Sequence, residues 1–214
     1  MTDELDYAKL GRFLAGECSE AEAAEVREWL AADPAHRQAL ASLERVWRGS
    51  ELRPAAAMSF ASLLQGLTGA GVRFVVVGGV AAAAHGSTYV TNDLDICYDP
   101  AEDNVTRLAK LLASWDAYPR GIEPGLPFFM DVQTFRTTPL MTLQTSEGAI
   151  DLFDRIAGVG GYTETLAASE PFESFGTRFQ VLNLSALIRA KRAAGRPKDF
   201  AQLPELEALL RLTR

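Results

Sequence analysis

The chain has 214 residues, 48% of them hydrophobic and 23% charged, and a net charge of −7. That length holds one full domain plus a small second one, and the composition suits a globular protein with a real buried core. The acidic balance argues against a general nucleic-acid coat, and no apolar run reaches the length of a bilayer span. The opening residues, MTDELDYAKL, are acidic and polar and do not read as a signal peptide. Cys18 and Cys97 lie far apart and form no metal-type pair, so the expectation is reduced thiols in a cytoplasmic protein without membrane attachment. Charge is unevenly spread. Residues 1–50 carry six basic and ten acidic side chains, whereas residues 186–214 carry seven basic and three acidic. The basic tail is either a solvated helix face or a surface for an anionic substrate.

Residues 1–50 read as three short helices. Tyr7, Leu10, Phe13 and Leu14 recur at helical spacing, and Gly16 ends that segment. Ser19 and Glu22 form a capping-box pattern for a second helix running to about Ala32, with Ala23, Val26, Trp29 and Leu30 on one face. Asp33-Pro34 opens a third, carrying Leu40, Leu43, Val46 and Trp47. This segment resembles the N-terminal helical domain of FecR-type anti-sigma regulators in its L-x-x-F-L-A-G-E, its W-L-A-A-D-P-A-H and its terminal V-W. It lacks the His and paired Cys of zinc-containing anti-sigma domains, and His36 reads as a surface residue. The resemblance implies an interaction module with a protein partner; the alternative is a helical extension packed on the rest of the chain. Residues 51–57, with Pro54 and three alanines, read as a linker.

Residues 58–70 are amphipathic, with Phe60, Leu63, Leu64 and Leu67 in one stripe. An apolar strand over 73–77 follows, then Gly78-Gly79, an Ala-rich helix over 80–85, and Asp93-Leu94-Asp95-Ile96. The two glycines permit a tight turn and close approach of backbone N–H groups to a ligand, and the helix start favours an anion. Strand alternation would set Asp93 and Asp95 on one face and Leu94 and Ile96 on the other. Paired carboxylates repel unless a cation lies between them, which points to Mg²⁺ shared with nucleotide phosphates. The plain alternative is an ordinary turn before a solvated strand end.

Gly-Gly, thirteen intervening residues and Asp-x-Asp resemble the nucleotidyltransferase superfamily related to DNA polymerase beta, whose minimal members include antibiotic-modifying enzymes and AbiEii-type toxins. The resemblance implies an α/β fold of mixed sheet and flanking helices over residues 58–214, behind a small all-α domain over residues 1–50. It also implies three carboxylates binding two Mg²⁺ ions. Many relatives carry an Arg in the loop before the Asp pair, where this chain has Tyr89.

A helix over 104–115 comes next, with Val105, Leu108, Leu111, Leu112 and Trp115 inward. The Pro/Gly-rich stretch 119–127 reads as a loop, residues 128–135 as a strand or a substrate-facing loop, and residues 141–143 as a short apolar stretch. In A-I-D-L-F, Asp151 is a lone carboxylate in an apolar strand, costly unless paired or metal-bound. The resemblance makes Asp151 the third acidic residue, with Asp154 as the alternative. Residues 158–162 read as a glycine-rich loop, 163–168 as a short helix, 179–182 as a final strand, and 183–194 as a helix capped by Asn183 or Ser185. A last helix carries Leu203, Leu206, Leu209 and Leu210. The A-K-x-x-x-G-R-x-K-D pattern from Ala190 to Asp199 resembles the C-terminal signature of minimal nucleotidyltransferases, which would direct Lys191 to the phosphates; taken alone, Lys191 reads as a surface lysine.

The expectation is an enzyme that transfers a nucleoside monophosphate from a nucleoside triphosphate to a small molecule, a tRNA or a protein, toxin activity included. Catalytic and metal-binding roles fall to Asp93, Asp95 and Asp151, and nucleotide-binding roles to Gly78, Gly79 and Lys191. The rival is a non-catalytic regulator with a degenerate scaffold and partner-binding N-terminal helices.

Overall fold

The computed structural model describes residues 19–32, 54–122, 128 and 130–212. The chain divides into two compact units, Met1–Arg53 and Pro54–Arg214. In the first, α1 spans Glu20–Ala32. The expected capping box is formed: the Ser19 N–H donates to Glu22 Oε2 at 3.1 Å, and the Glu22 N–H donates to Ser19 Oγ at 3.3 Å. Ala23 and Val26 are buried, Trp29 and Leu30 partly so. The first and third helices read from sequence, and His36, lie outside the described residues.

The second unit opens with α2, Pro54–Gly69, so the stretch read as a linker is helical from Pro54 onward. Proline presets φ for a first helical turn, and the alanines behind it are strong helix formers. Leu63, Leu64 and Leu67 are fully buried, as the stripe required. After Gly71, at φ +66°, come β1 (Phe74–Val76), α3 (Gly78–Ala84), β2 (Asp93–Tyr98) and α4 (Glu102–Ser114). The glycines therefore lie inside the first turn of α3 rather than ahead of it. Next are β3 (Tyr118–Pro119), α5 (Val132–Thr137), β4 (Leu140–Thr145) and β5 (Gly148–Phe153). The chain continues through β6 (Arg155–Ile156), β7 (Gly160–Gly161), α6 (Tyr162–Ala167), β8 (Ser169–Ser174) and β9 (Thr177–Leu182). It closes with α7 (Leu184–Ala194) and α8 (Pro197–Leu212).

Seven strands form one mixed sheet in the order β3-β4-β5-β2-β1-β9-β8, and β6 pairs with β7 separately. β1 runs parallel to β9 and antiparallel to β2, while β2 runs parallel to β5. The fold class expected from sequence, an α/β arrangement of mixed sheet and flanking helices, is the one observed. The inner strand β1 is apolar and buried throughout, as a strand covered on both faces should be. Leu94, Ile96, Ile150 and Leu152 have no exposed surface and share one face of the paired β2 and β5.

Three local readings need correction. Residues 132–137 form a helix, neither strand nor loop, because Asp131 caps it by accepting from the Thr134 N–H at 2.9 Å. Phe135 on that helix packs edge-on against Tyr98, with ring centroids 5.3 Å apart. β7 takes two glycines of the supposed loop into a pair with β6. β8 has no counterpart in the sequence reading; it is an outer strand holding Pro171 and two glutamates, paired with β9 through the turn at Phe175–Gly176. Among the described residues no helix is long and apolar enough to cross a membrane.

Asn104 fastens the start of β1 to the end of β2. Its Oδ1 accepts from the Arg73 N–H at 2.7 Å, and its Nδ2 donates to the carbonyls of Arg73 at 3.1 Å and Asp99 at 2.8 Å. The side chain is fully buried, so its loss strands backbone groups that water cannot reach. Asn104→Ala is expected to cost about 2–3 kcal/mol in urea denaturation. A loss below about 1 kcal/mol would show that these bonds are replaceable.

Candidate functional site

The site is built where β1 gives way to α3 and where β2 and β5 run side by side. β2 alternates as read: Leu94 and Ile96 are buried, Asp93 and Asp95 half-buried on the other face. Parallel pairing sets Asp95 directly beside Asp151 and Asp93 beside Ala149. All three carboxylates therefore open onto one cavity of about 370 Å³. Asp154 follows the end of β5 and does not line it.

The glycines meet two separate demands. Gly78 sits at φ +62°, where L-residues are strained, and a Cβ there would collide with the Asp95 carboxylate. A Cβ on Gly79 would stand 2.5 Å from the Thr91 Cβ. The Gly79 N–H donates to Asp95 Oδ2 at 3.3 Å, so the elbow closes onto the second aspartate. Thr91 in turn donates from Oγ1 to Asp93 Oδ1 at 2.8 Å and orients that carboxylate.

The loop carrying Thr91 is fastened from far along the chain. Glu205 of α8 accepts from Ser87 Oγ at 2.6 Å, and from the Thr88 N–H and Oγ1 at 2.8 Å each. Tyr89 donates its hydroxyl to the Ala201 carbonyl at 2.9 Å. Tyr89 thus ties the loop to α8 from the position where relatives were expected to carry an Arg.

The opposite wall comes from α7 and α8. Asn183 caps α7 by accepting from the Ala186 N–H at 2.9 Å, and Gly195, left-handed at φ +67°, ends it. Lys191 is buried rather than a surface lysine, and its Nζ lies 3.3 Å from Asp199 Oδ1. Arg196 Nε holds the other Asp199 oxygen at 2.6 Å. Burial pushes Asp199 upward, but Arg196 and Lys191 outweigh it and keep the carboxyl below its usual range. Arg155 and Lys198 join Lys191 and Arg196 along the same cavity. The cavity is thus acidic at the strand ends and basic at the helix side.

Arg120, unremarked in the sequence, follows β3. Its backbone N–H donates to the Thr142 carbonyl at 2.9 Å, and Thr142 pairs with Asp151 across β4 and β5. Its guanidinium reaches Asp151 Oδ1 through Nη2, and Asp93 Oδ2 through Nη1 at 3.4 Å. Asp95 is left to its Gly79 bond. Burial, with the charges of Asp93 and Asp151 adding, lifts its pKa from 3.8 to about 7. Asp151 also lies above its ordinary value, because burial and Asp93 outweigh Arg120.

Carboxylate oxygens are the ligands Mg²⁺ prefers, and a guanidinium across two of them occupies the place of a cation. The donor set therefore fits a divalent ion. As the side chains stand, however, no group of three among the described residues is set to hold a metal ion.

Comparison with known proteins adds little beyond this geometry. Residues 10–46 match a domain of unknown function, DUF4880. That description names no activity and leaves the FecR-type resemblance without support. No curated protein matches the chain. Among solved structures, a "putative nucleotidyltransferase" from Thermotoga maritima is similar at a TM-score of 0.48 and 16% identity, covering 72% of this chain and 92% of that one.

The six residues singled out by sequence all line this cavity, Lys191 through a pairing that its helix position does not announce. Thr91, Arg120, Arg196, Asp199 and Glu205 went unassigned. Asp199 and Arg196 lay inside the quoted C-terminal pattern; a buried Lys needing a counter-ion would have pointed to Asp199, and the buried Asp199 in turn to Arg196. For Arg120 the available signal was charge: three carboxylates on two neighbouring strands demand a cation.

Two outcomes follow from this geometry. Gly78→Ala adds backbone strain to a clash with Asp95 and should cost more than about 2 kcal/mol by chemical denaturation; a neutral substitution would contradict the observed packing. Asp95 binds its proton more tightly folded than unfolded, so without divalent ions its ionisation removes stability as pH rises from 3.8 to about 7. Asp95→Asn should therefore raise the melting temperature at pH 8 in chelator and leave it nearly unchanged at pH 4. An equal gain at both would rule out ionisation as the cause.

Proposed function

We propose that the second unit is a Mg²⁺-dependent nucleotidyltransferase, moving a nucleoside monophosphate from a nucleoside triphosphate to an acceptor hydroxyl or phosphate. The observation that carries this is the side-by-side placement of Asp95 and Asp151, with Asp93 on the same face, in a cavity whose other wall is basic.

Asp93, Asp95 and Asp151 would hold the metal. Bound there, Mg²⁺ supplies Lewis-acid neutralisation of the phosphate oxygens. Asp151 takes the proton of the acceptor hydroxyl as its oxygen attacks the α-phosphorus in line. A new O–P bond forms, the bond from the α-phosphorus to the bridging oxygen breaks, and pyrophosphate leaves. Lys191, Arg196 and Lys198 receive the negative charge of the departing phosphates, and the turn at Gly78 and Gly79 lets the backbone approach them. Catalysis of this kind is chiefly positioning and charge compensation. The cavity volume lies in the range of small-ligand sites. A small molecule, a tRNA end and a protein side chain all remain chemically suitable acceptors, and a toxin role is compatible with the last two.

A second reading draws on the ion pairs of Arg120 with Asp93 and Asp151. In it the scaffold no longer transfers nucleotides, and residues 1–50 bind a protein partner. Mg²⁺-dependent ATP binding separates the two readings.

Purified protein incubated with each α-labelled nucleoside triphosphate and a total cell extract should label one acceptor fraction. Asp93→Ala/Asp95→Ala should reduce that labelling by at least about 100-fold. No labelled acceptor, or equal labelling by the double variant, would refute the transferase reading.

A further inference from the structure

The guanidinium of Arg120 spans carboxylates on two different strands, Asp93 of β2 and Asp151 of β5. It is no loosely held surface arginine. Its backbone is hydrogen-bonded to β4 at Thr142, directly across from Asp151, so its side chain is aimed over the strand ends. Its side chain is 32% exposed, so the guanidinium is not sealed beneath other groups. The atoms it binds, Asp93 Oδ2 and Asp151 Oδ1, are those a metal ion would need, and a cation already there repels a second one. Asp93 is also held by Thr91 through its other oxygen, so both oxygens of that carboxylate are engaged.

We infer that Arg120 is a built-in counter-ion that competes with the divalent cation for Asp93 and Asp151, and must swing off them before metal binds. The inference rests on the metal-site reading above. Arg120 holds the two like charges together while the ion is away, and its release lets the ion take the same oxygens. Once released, a guanidinium beside the acidic end is free to meet an anionic group of the incoming nucleotide or acceptor. Arg120 is thus a positioning residue: it sets the threshold for metal entry.

The test is nucleotide-free binding of Mn²⁺, followed through the electron paramagnetic resonance signal of the free ion. Wild type, Arg120→Gln, Arg120→Lys and Asp93→Ala/Asp95→Ala are compared, with circular dichroism and melting curves confirming that each is folded. Removing the competing charge should tighten Mn²⁺ binding about tenfold in Arg120→Gln. Arg120→Lys keeps the charge but loses the two-pronged span, and should fall between it and wild type. The melting temperature of Arg120→Gln should drop without metal and recover more than that of wild type when Mn²⁺ is added. Unchanged or weaker binding in Arg120→Gln, with the double variant losing the ion, overturns the inference and leaves the metal site standing. Wild-type affinity in Asp93→Ala/Asp95→Ala, or no binding by any protein, overturns both. Should Arg120→Gln fail to fold, binding by Arg120→Lys no tighter than wild type overturns the inference.

Discussion

Everything at the candidate site depends on how two parallel strands are aligned. Five residues of β2 pair with five of β5, and that register sets Asp95 beside Asp151. A shift by one residue would turn one strand's carboxylates toward the apolar face that Leu94, Ile96, Ile150 and Leu152 occupy. The core thus enforces a juxtaposition that electrostatics opposes. Two half-buried like charges at adjacent positions are unfavourable, and Arg120 on one side and the raised proton affinity of Asp95 on the other offset this. Sites that concentrate charge against their own folding free energy are a common mark of function, because binding relieves the tension.

The basic wall shows the same logic with the signs reversed. Lys191 is buried and would be unstable alone; Asp199 makes it tolerable, and Arg196 offsets the burial of Asp199 in turn. This triad locks the C-terminal end of α7 to the first turn of α8 just after the left-handed Gly195. The cavity therefore lies between two charged assemblies of opposite character, each of them partly self-neutralised.

How much of this was legible in the sequence depended on whether a residue's role is local. The alternation of Asp-Leu-Asp-Ile fixes a face without knowledge of the partner strand, so β2 and its two aspartates were readable. Asp151 was readable because a charge inside A-I-D-L-F has few bland explanations. The Ser19–Glu22 box and the Asn183 cap were readable because caps act within three residues. By contrast, β8 is a poor strand former, with Pro171 and two glutamates, and is drawn into the sheet only by β9. The helix after Asp131 was missed because an aspartate cap preceding a run of aromatic and β-branched residues resembles a strand start. Arg120 lies in a stretch with no periodicity. Its partners are 27 and 31 residues away in sequence, and only the folded sheet brings them together. The placement of Glu205 against Ser87 and Thr88 spans a still greater distance, and nothing near either end hints at it.

That last contact has a consequence for how the molecule comes into being. During vectorial synthesis the ribosome delivers Asp93, Asp95 and Asp151 well before Glu205. Until α8 emerges, the loop that steers Asp93 through Thr91 lacks the clamp that Glu205 provides. A chain grown only that far carries all three acidic groups and both strands that align Asp95 with Asp151, but not the tie on the loop before Asp93. The setting of Asp93 is therefore completed late, by a helix more than a hundred residues further along the chain than the loop it holds.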